Sequence, residues 1–250
     1  MKGTALMIKA KGLTKIFGSA TAVDNLDFEV AKGELFAFLG PNGSGKSTTI
    51  RMLMGLLEPT EGSVEILGEA MSLDKTELKK KVSFVPDTPD IIGKLSGREY
   101  LNFVASVYDM GQEEYKRELE CFLSLFDLEG KLDTLVENYS HGMRQKLVII
   151  GALMHHPDIV FLDEPSVGLD PKSNRNLKNY LKEFTAAGHT VFLTTHTLSL
   201  AEELADRILI IYKGVAQNSG TLEELRAAAG KPDASLEDVF LELTEGDRNL

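Results

Sequence analysis

Nine residues, GPNGSGKST from Gly40 to Thr48, restrict this chain more than any other stretch. The run before them, Leu35 to Leu39, is continuously apolar, as in a strand buried on both faces. After them Ile50, Leu53, Met54 and Leu57 recur at helical spacing, and Glu58-Pro59 ends the pattern. Strand, glycine loop and helix follow in that order, and Gly40, Gly45, Lys46 and Ser47 satisfy the spacing G-x-x-x-x-G-K-[ST]. Glycines let the backbone curl without Cβ clashes, so successive N–H groups and a helix N-terminus line one anion-binding concavity. Gly40, Pro41, Asn42, Gly43, Ser44, Gly45, Lys46, Ser47 and Thr48 are therefore expected to bind a nucleoside triphosphate. Lys46 is expected to reach the β- and γ-phosphates, and Ser47 to offer its hydroxyl to Mg²⁺.

A second segment, HPDIVFLDEPSVGLDP, brings the complementary charge. Ile159 to Leu162 read as another buried strand, which delivers Asp163 and Glu164 at its C-terminal end. Ligands of open α/β sheets bind at the carboxyl ends of strands, so both acids are expected to face the phosphate loop. Asp163 is the expected Mg²⁺ partner, and Glu164 the expected general base for an attacking water. Farther on, TVFLTTHTLSLAEELADRILIIYKG supplies two more strands, the first ending in Thr195-His196.

Composition bounds the alternatives. With 43% apolar and 26% charged residues in 250, the chain can build a sizeable core. The net charge of −11 argues against a broad phosphate-backbone face, so no nucleic-acid partner is expected. Cys121, the single cysteine, cannot close an intrachain disulfide, which fits a reducing compartment. Its neighbours Leu119, Phe122, Leu123 and Phe126 predict a buried structural thiol. No signal peptide is expected, and no apolar run in the sequence is long enough to cross a bilayer, so membrane work is expected to need another chain to do the spanning. Lysines in MSLDKTELKKK are expected on a solvated helix face.

These segments, in this order from about Leu6 to Gly220, resemble the nucleotide-binding domain of an ABC ATPase. The resemblance implies an α/β, P-loop NTPase fold: a RecA-like parallel-sheet core, an N-terminal antiparallel β lobe and a helical subdomain. It places Phe17 where the family stacks an aromatic ring on adenine, His196 at the switch histidine and Asp170, in SVGLD, in the D-loop. The segment YSHGMRQKLVIIGALMHHP is similar to the family's signature, with Ser140 and Gly142 at its serine and second glycine. Tyr139, His141 and Met143 depart from the usual LSGGQ, and Asp87 stands where the Q-loop glutamine is usual, in reach of Mg²⁺ or water by analogy. Read from the residues alone, Ser140 is also a helix N-cap, since Met143, Leu147, Ile150 and Met154 follow at helical spacing. In the family, the helix opened by Ser140, His141, Gly142 and Met143 meets ATP held by a second ATPase chain, identical or different.

The ending SLEDVFLELT carries a capping box, Ser235 with Asp238, and an apolar face of Leu236, Val239, Phe240 and Leu243. Such endings resemble those of ATPase subunits of ABC-2-type exporters. The implied function is ATP hydrolysis powering transport, in the export direction, through a separate transmembrane permease at the cytoplasmic side of the membrane. Two other readings share the nucleotide motifs: a soluble ABC ATPase serving a protein assembly such as iron–sulfur cluster biogenesis, and a nucleotide-sensing module with little hydrolysis. The expected organisation is an ATPase domain over residues 1–220 and a short helical tail over 221–250. Within the domain, 1–86 hold the β lobe and phosphate loop, 87–156 the helical subdomain and 157–220 the rest of the core.

Overall fold

The computed structural model describes residues 5–245, with the side chain of Glu245 outside the description. Residues 1–4, part of the expected leaderless N-terminus, and 246–250, the end of the expected tail, lie outside the described residues. In chain order the first elements are β1 (Leu6–Phe17), β2 (Ala20–Ala31), β3 (Leu35–Leu39) and α1 (Lys46–Leu53). There follow β4 (Glu61–Ile66), β5 (Glu69–Ala70), α2 (Thr76–Lys79) and β6 (Val82–Val85). Helices α3 (Gly97–Val107), α4 (Gln112–Phe126) and α5 (His141–Leu153) come next, with one 3₁₀ turn at Val136–Asn138. The chain continues through β7 (Ile159–Asp163), α6 (Pro171–Ala186), β8 (Thr190–Thr195) and α7 (Leu198–Leu204). It closes with β9 (Arg207–Tyr212), β10 (Val215–Gly220), α8 (Leu222–Ala228) and α9 (Leu236–Glu245).

Two compact units divide these elements, the second running from Lys80 to Glu183 and the first made of the segments on either side of it. In the first unit, β2, β1, β4 and β5 form an antiparallel sheet in that order. A second sheet places β3 between β9 and β8, all parallel, with β10 antiparallel on β9. β3 is buried along its whole length, which is why its sequence shows no polar alternation. Phe28 of β2 packs between the sheets against Phe36 and Phe192, with ring centroids 5.8 and 5.9 Å apart. Phe36 and Phe192 stack on one another at 5.7 Å, so one aromatic cluster joins the two sheets.

The apolar spacing over Ile50–Leu57 predicts a longer helix than α1. It stops at Leu53 because Gly55 enters the left-handed region at φ 59°. Its N–H then bonds Met52 O at 3.0 Å and that of Leu56 bonds Arg51 O at 2.8 Å, a complete Schellman cap. The lysine-rich segment forms a single turn, α2, whose Lys79 donates to Gly55 O and Leu73 O at 2.9 and 2.7 Å rather than only to water.

In the second unit β6 and β7 pair in parallel, Val82 with Ile159 through Val85 with Leu162. Helix α3 starts at a full capping box, Ser96 with Glu99. Cys121 is exposed, against the expectation of a buried thiol. Leu119, Phe122 and Phe126 form the buried stripe of α4, and position 121 falls off that face. Among the described residues no helix is long and apolar enough to cross a membrane.

Candidate functional site

The nine-residue loop leaves β3 at Gly40 and enters α1 at Lys46. Two of its glycines hold positive φ, 80° at Gly43 and 106° at Gly45, conformations that other residues reach only with strain. Gly40 is closed in differently: a Cβ there would collide with Ser44 Oγ and with the backbone of Ile211 on β9. At Gly45 a Cβ would lie 2.6 Å from Ala22 O. The loop is thus pressed between the ends of β9 and β2, and only glycine fits at those contacts. Gly45 offers no side-chain cap to α1, so the helix's first N–H groups face the loop they follow. Lys46 is buried, and its Nζ donates to Gly40 O at 2.7 Å and to Pro41 O at 3.1 Å, which holds the ammonium over the loop. Ser44 Oγ is buried without a hydrogen-bond partner among the described residues, a donor left for an occupant of the loop.

Sheet register sets His196 beside this loop. Leu39 pairs with Thr195 across β3 and β8, so Gly40 and His196 follow equivalent strand positions at one sheet edge. Gly40, Pro41, Asn42 and His196 line one cavity of 320 Å³ together with Leu198 and Phe240. Phe17, which composition alone would place in a core, is instead 49% exposed at the end of the β1–β2 hairpin, with Lys15 Nζ 5.3 Å from its ring centroid.

The second unit collects the acids. Val85 pairs with Leu162, so Asp87 and the Asp163-Glu164 pair leave the same edge of two parallel strands. Asp163 is buried, Glu164 is half-buried and Asp87 is exposed. Glu164 sits at φ 49°, the left-handed region that a glutamate adopts only under constraint from its surroundings.

On the same unit Ser140 caps α5 as its spacing predicts, its hydroxyl accepting from Met143 N at 3.2 Å. Gly142 lies so close to Gly168 O that a Cβ would collide with it, and His141 packs over Gly168. Gln145, fully buried, donates to Pro165 O at 3.4 Å. Lys146 meets Asp170 at 2.6 Å, and this ammonium, with help from Ser173, holds the Asp170 carboxyl well below the usual carboxylate range. The start of α5 is therefore clamped onto segment 165–170. Tyr139, the departure before Ser140, is a core residue: its hydroxyl donates to Lys131 O at 2.8 Å and occupies the space a Cβ on Gly97 would need. The clamping partners Gln145 and Lys146 were not singled out in the sequence, because inside an apolar helical repeat they read as ordinary polar positions.

Comparison with known proteins adds identity to this geometry. The protein-family model described as ABC transporter matches residues 23–167. The chain belongs to that family. It is 33% identical over 241 residues to the ABC-type transporter ATP-binding protein EcsA of Bacillus subtilis, covering 96% of this chain and 98% of EcsA. It is 36% identical over 208 residues to the SkfA peptide export ATP-binding protein SkfE of the same organism, covering 83% and 86% of the two chains. A solved ATP-binding subunit of an ABC transporter superposes with a TM-score of 0.91 at 33% identity, covering 95% of this chain and 99% of that one. The dimeric ATP-binding cassette MJ0796, in a post-hydrolysis state with ADP and Pi, superposes with a TM-score of 0.78 at 30% identity, covering 86% and 99%. This ABC protein therefore has the α/β ATPase fold that its motifs imply, and its relatives are ATP-binding subunits of transporters.

Each of the two units carries an oxygen donor of the kind Mg²⁺ takes. Ser47 offers a hydroxyl in the first turn of α1 and Asp163 a buried carboxylate, both hard oxygen ligands. No group of three or more His, Cys, Asp or Glu side chains able to hold a metal occurs among the described residues.

Proposed function

We propose that this ABC protein hydrolyses ATP to drive transport, in the export direction, through a separate transmembrane permease. The observation that carries the reading is the phosphate loop: a glycine bend at a strand end, a buried lysine arched over it and a histidine at the neighbouring strand end. Export is supported by the likeness to SkfE and by the exporter-like ending SLEDVFLELT. Attachment to the cytoplasmic face of the membrane would then come from the permease.

In this mechanism the amides of Gly40–Thr48 and the Lys46 ammonium bind the β- and γ-phosphates, while Phe17 offers its exposed ring to adenine. Ser47, Asp163 and Asp87 would hold Mg²⁺, which would supply positive charge against the phosphates. Glu164 accepts a proton from water as the water oxygen attacks the γ-phosphorus. The bond from that phosphorus to the bridging oxygen breaks, leaving ADP and inorganic phosphate. His196 holds the γ-phosphate in line. A second ATPase chain completes the site, its Ser140, His141, Gly142 and Met143 presenting a helix N-terminus to the same phosphate and its Asp170 segment lying alongside. ATP links the pair because both chains contact the γ-phosphate, and hydrolysis removes that link.

Glu164→Gln tests the assignment. Steady-state phosphate release should fall by about 10²–10⁴-fold, as for loss of a general base, while Mg-ATP affinity by calorimetry is retained. Turnover like that of the wild type in this variant would reject Glu164 as the base.

A further inference from the structure

The tail helix α9 enters the wall of the nucleotide loop's cavity. Leu236 and Val239 are fully buried and anchor α9 against Ala37 and Leu39 of β3, Ala201 of α7, Ile208 and Ile210 of β9 and Leu225 of α8. Leu39 is the residue immediately before Gly40, so α9 docks on the strand that carries the phosphate loop. Hydrogen bonds fix the helix as well as apolar contact. Ser235 Oγ accepts from Asp238 N at 3.2 Å, and Arg226 Nε donates to Ala234 O at 2.7 Å just ahead of the helix. With those anchors set, Phe240 is half-buried and lines the cavity together with Leu198, Pro41, Asn42 and His196.

We propose that Phe240 is a positioning residue for the hydrolytic step, acting through Leu198 on His196. Leu198 is the first residue of α7, and only Thr197 separates it from His196. The Thr197 N–H is held by Thr195 Oγ1 at 2.9 Å, so one end of this connection is tied to β8. The other end, Leu198, is steadied by packing, and α9 supplies part of that packing. On this proposal a large apolar side chain at position 240 helps to set where α7 begins and, with it, the backbone that carries His196. Leu243 makes a useful contrast: it packs on the same cluster from the same helix but does not line the cavity. The proposal rests on the reading of Gly40–Thr48 as the nucleotide site and adds to it that the tail sets the catalytic geometry.

The test compares Phe240→Ala, Phe240→Leu, Leu243→Ala and His196→Ala in the full chain, by steady-state phosphate release and Mg-ATP calorimetry. Phe240→Ala should lower turnover by about tenfold, the scale expected from a small misplacement of a γ-phosphate contact, with ATP affinity changed by less than about twofold. Phe240→Leu should recover most of the turnover, and Leu243→Ala should keep it. In the His196→Ala background, Phe240→Ala should add less than about twofold, because the two residues act as one unit. Unchanged turnover in Phe240→Ala, an equal loss in Leu243→Ala, or full additivity with His196→Ala would overturn the proposal. Failure of the wild-type chain to bind Mg-ATP would instead overturn the nucleotide-site reading, so the two failures are distinguishable.

Discussion

Single side chains in this protein are set by what surrounds their backbone. Lys46 is held over its own loop by two carbonyls, and the positive φ of Glu164 fixes where its carboxylate leaves β7. His155 belongs to the same scale although it lies outside the site. Its ring stacks on Tyr108 with centroids 3.6 Å apart, and burial pushes its pKa down to about 4. The unfolded chain would take up that proton near pH 6.5, whereas the folded chain resists it until about pH 4. Stability should therefore be full above pH 6.5 and fall as pH drops through that window, by about 2 kcal/mol between pH 7 and pH 5 from this residue. Urea unfolding at the two pH values, in wild type and His155→Phe, measures it. A pH dependence as steep in the variant as in the wild type would assign the effect elsewhere.

Elements here gain function where they touch. Helix α5 presents the Ser140 end because Gly142 meets Gly168, Gln145 reaches Pro165 and Lys146 pairs with Asp170. Asp170 also opens α6: its carboxylate accepts from Ser173 N at 2.9 Å, Pro171 is the first helical residue, and Asn174 N reaches Asp170 O at 2.9 Å. One carboxylate thus caps one helix and ties another to it. Asp170→Ala should cost about 1–2 kcal/mol in denaturant unfolding, and Asp170→Asn should recover part of that, since asparagine caps as well as aspartate but cannot pair with Lys146. Equal losses in both variants would show that the cap contributes nothing.

At the scale of the whole molecule, the phosphate loop belongs to one compact unit, while the acids and the Ser140 helix belong to the other. The proposed dimer has one chain's Ser140 helix facing the ATP bound by its partner. Glu164→Gln protein should therefore dimerise when Mg-ATP is added, because binding is kept while hydrolysis is slowed. Adding Ser140→Arg should return it to monomer, as a bulky side chain replaces a small cap at the helix start. Light scattering reads both states; a monomer throughout, or dimers that tolerate arginine at position 140, would contradict the arrangement.

The phosphate loop, the acid pair at the end of β7, the Ser140 cap and the α/β character were legible in the sequence because each is written locally. Glycine spacing, an apolar run and a cap are properties of a few adjacent residues, and covalent geometry alone converts them into a bend, a strand or a helix start. The Schellman stop at Gly55, the exposure of Cys121 and the core role of Tyr139 needed the tertiary structure. So did the clamp from Lys146 to Asp170 and the cavity shared by Phe240 and His196, whose partners lie 24 and 44 positions apart along the chain. Sequence states which residues can form a strand end or a helix face. Only close packing, which rejects all but one arrangement of those faces, decides which distant side chains share a cavity.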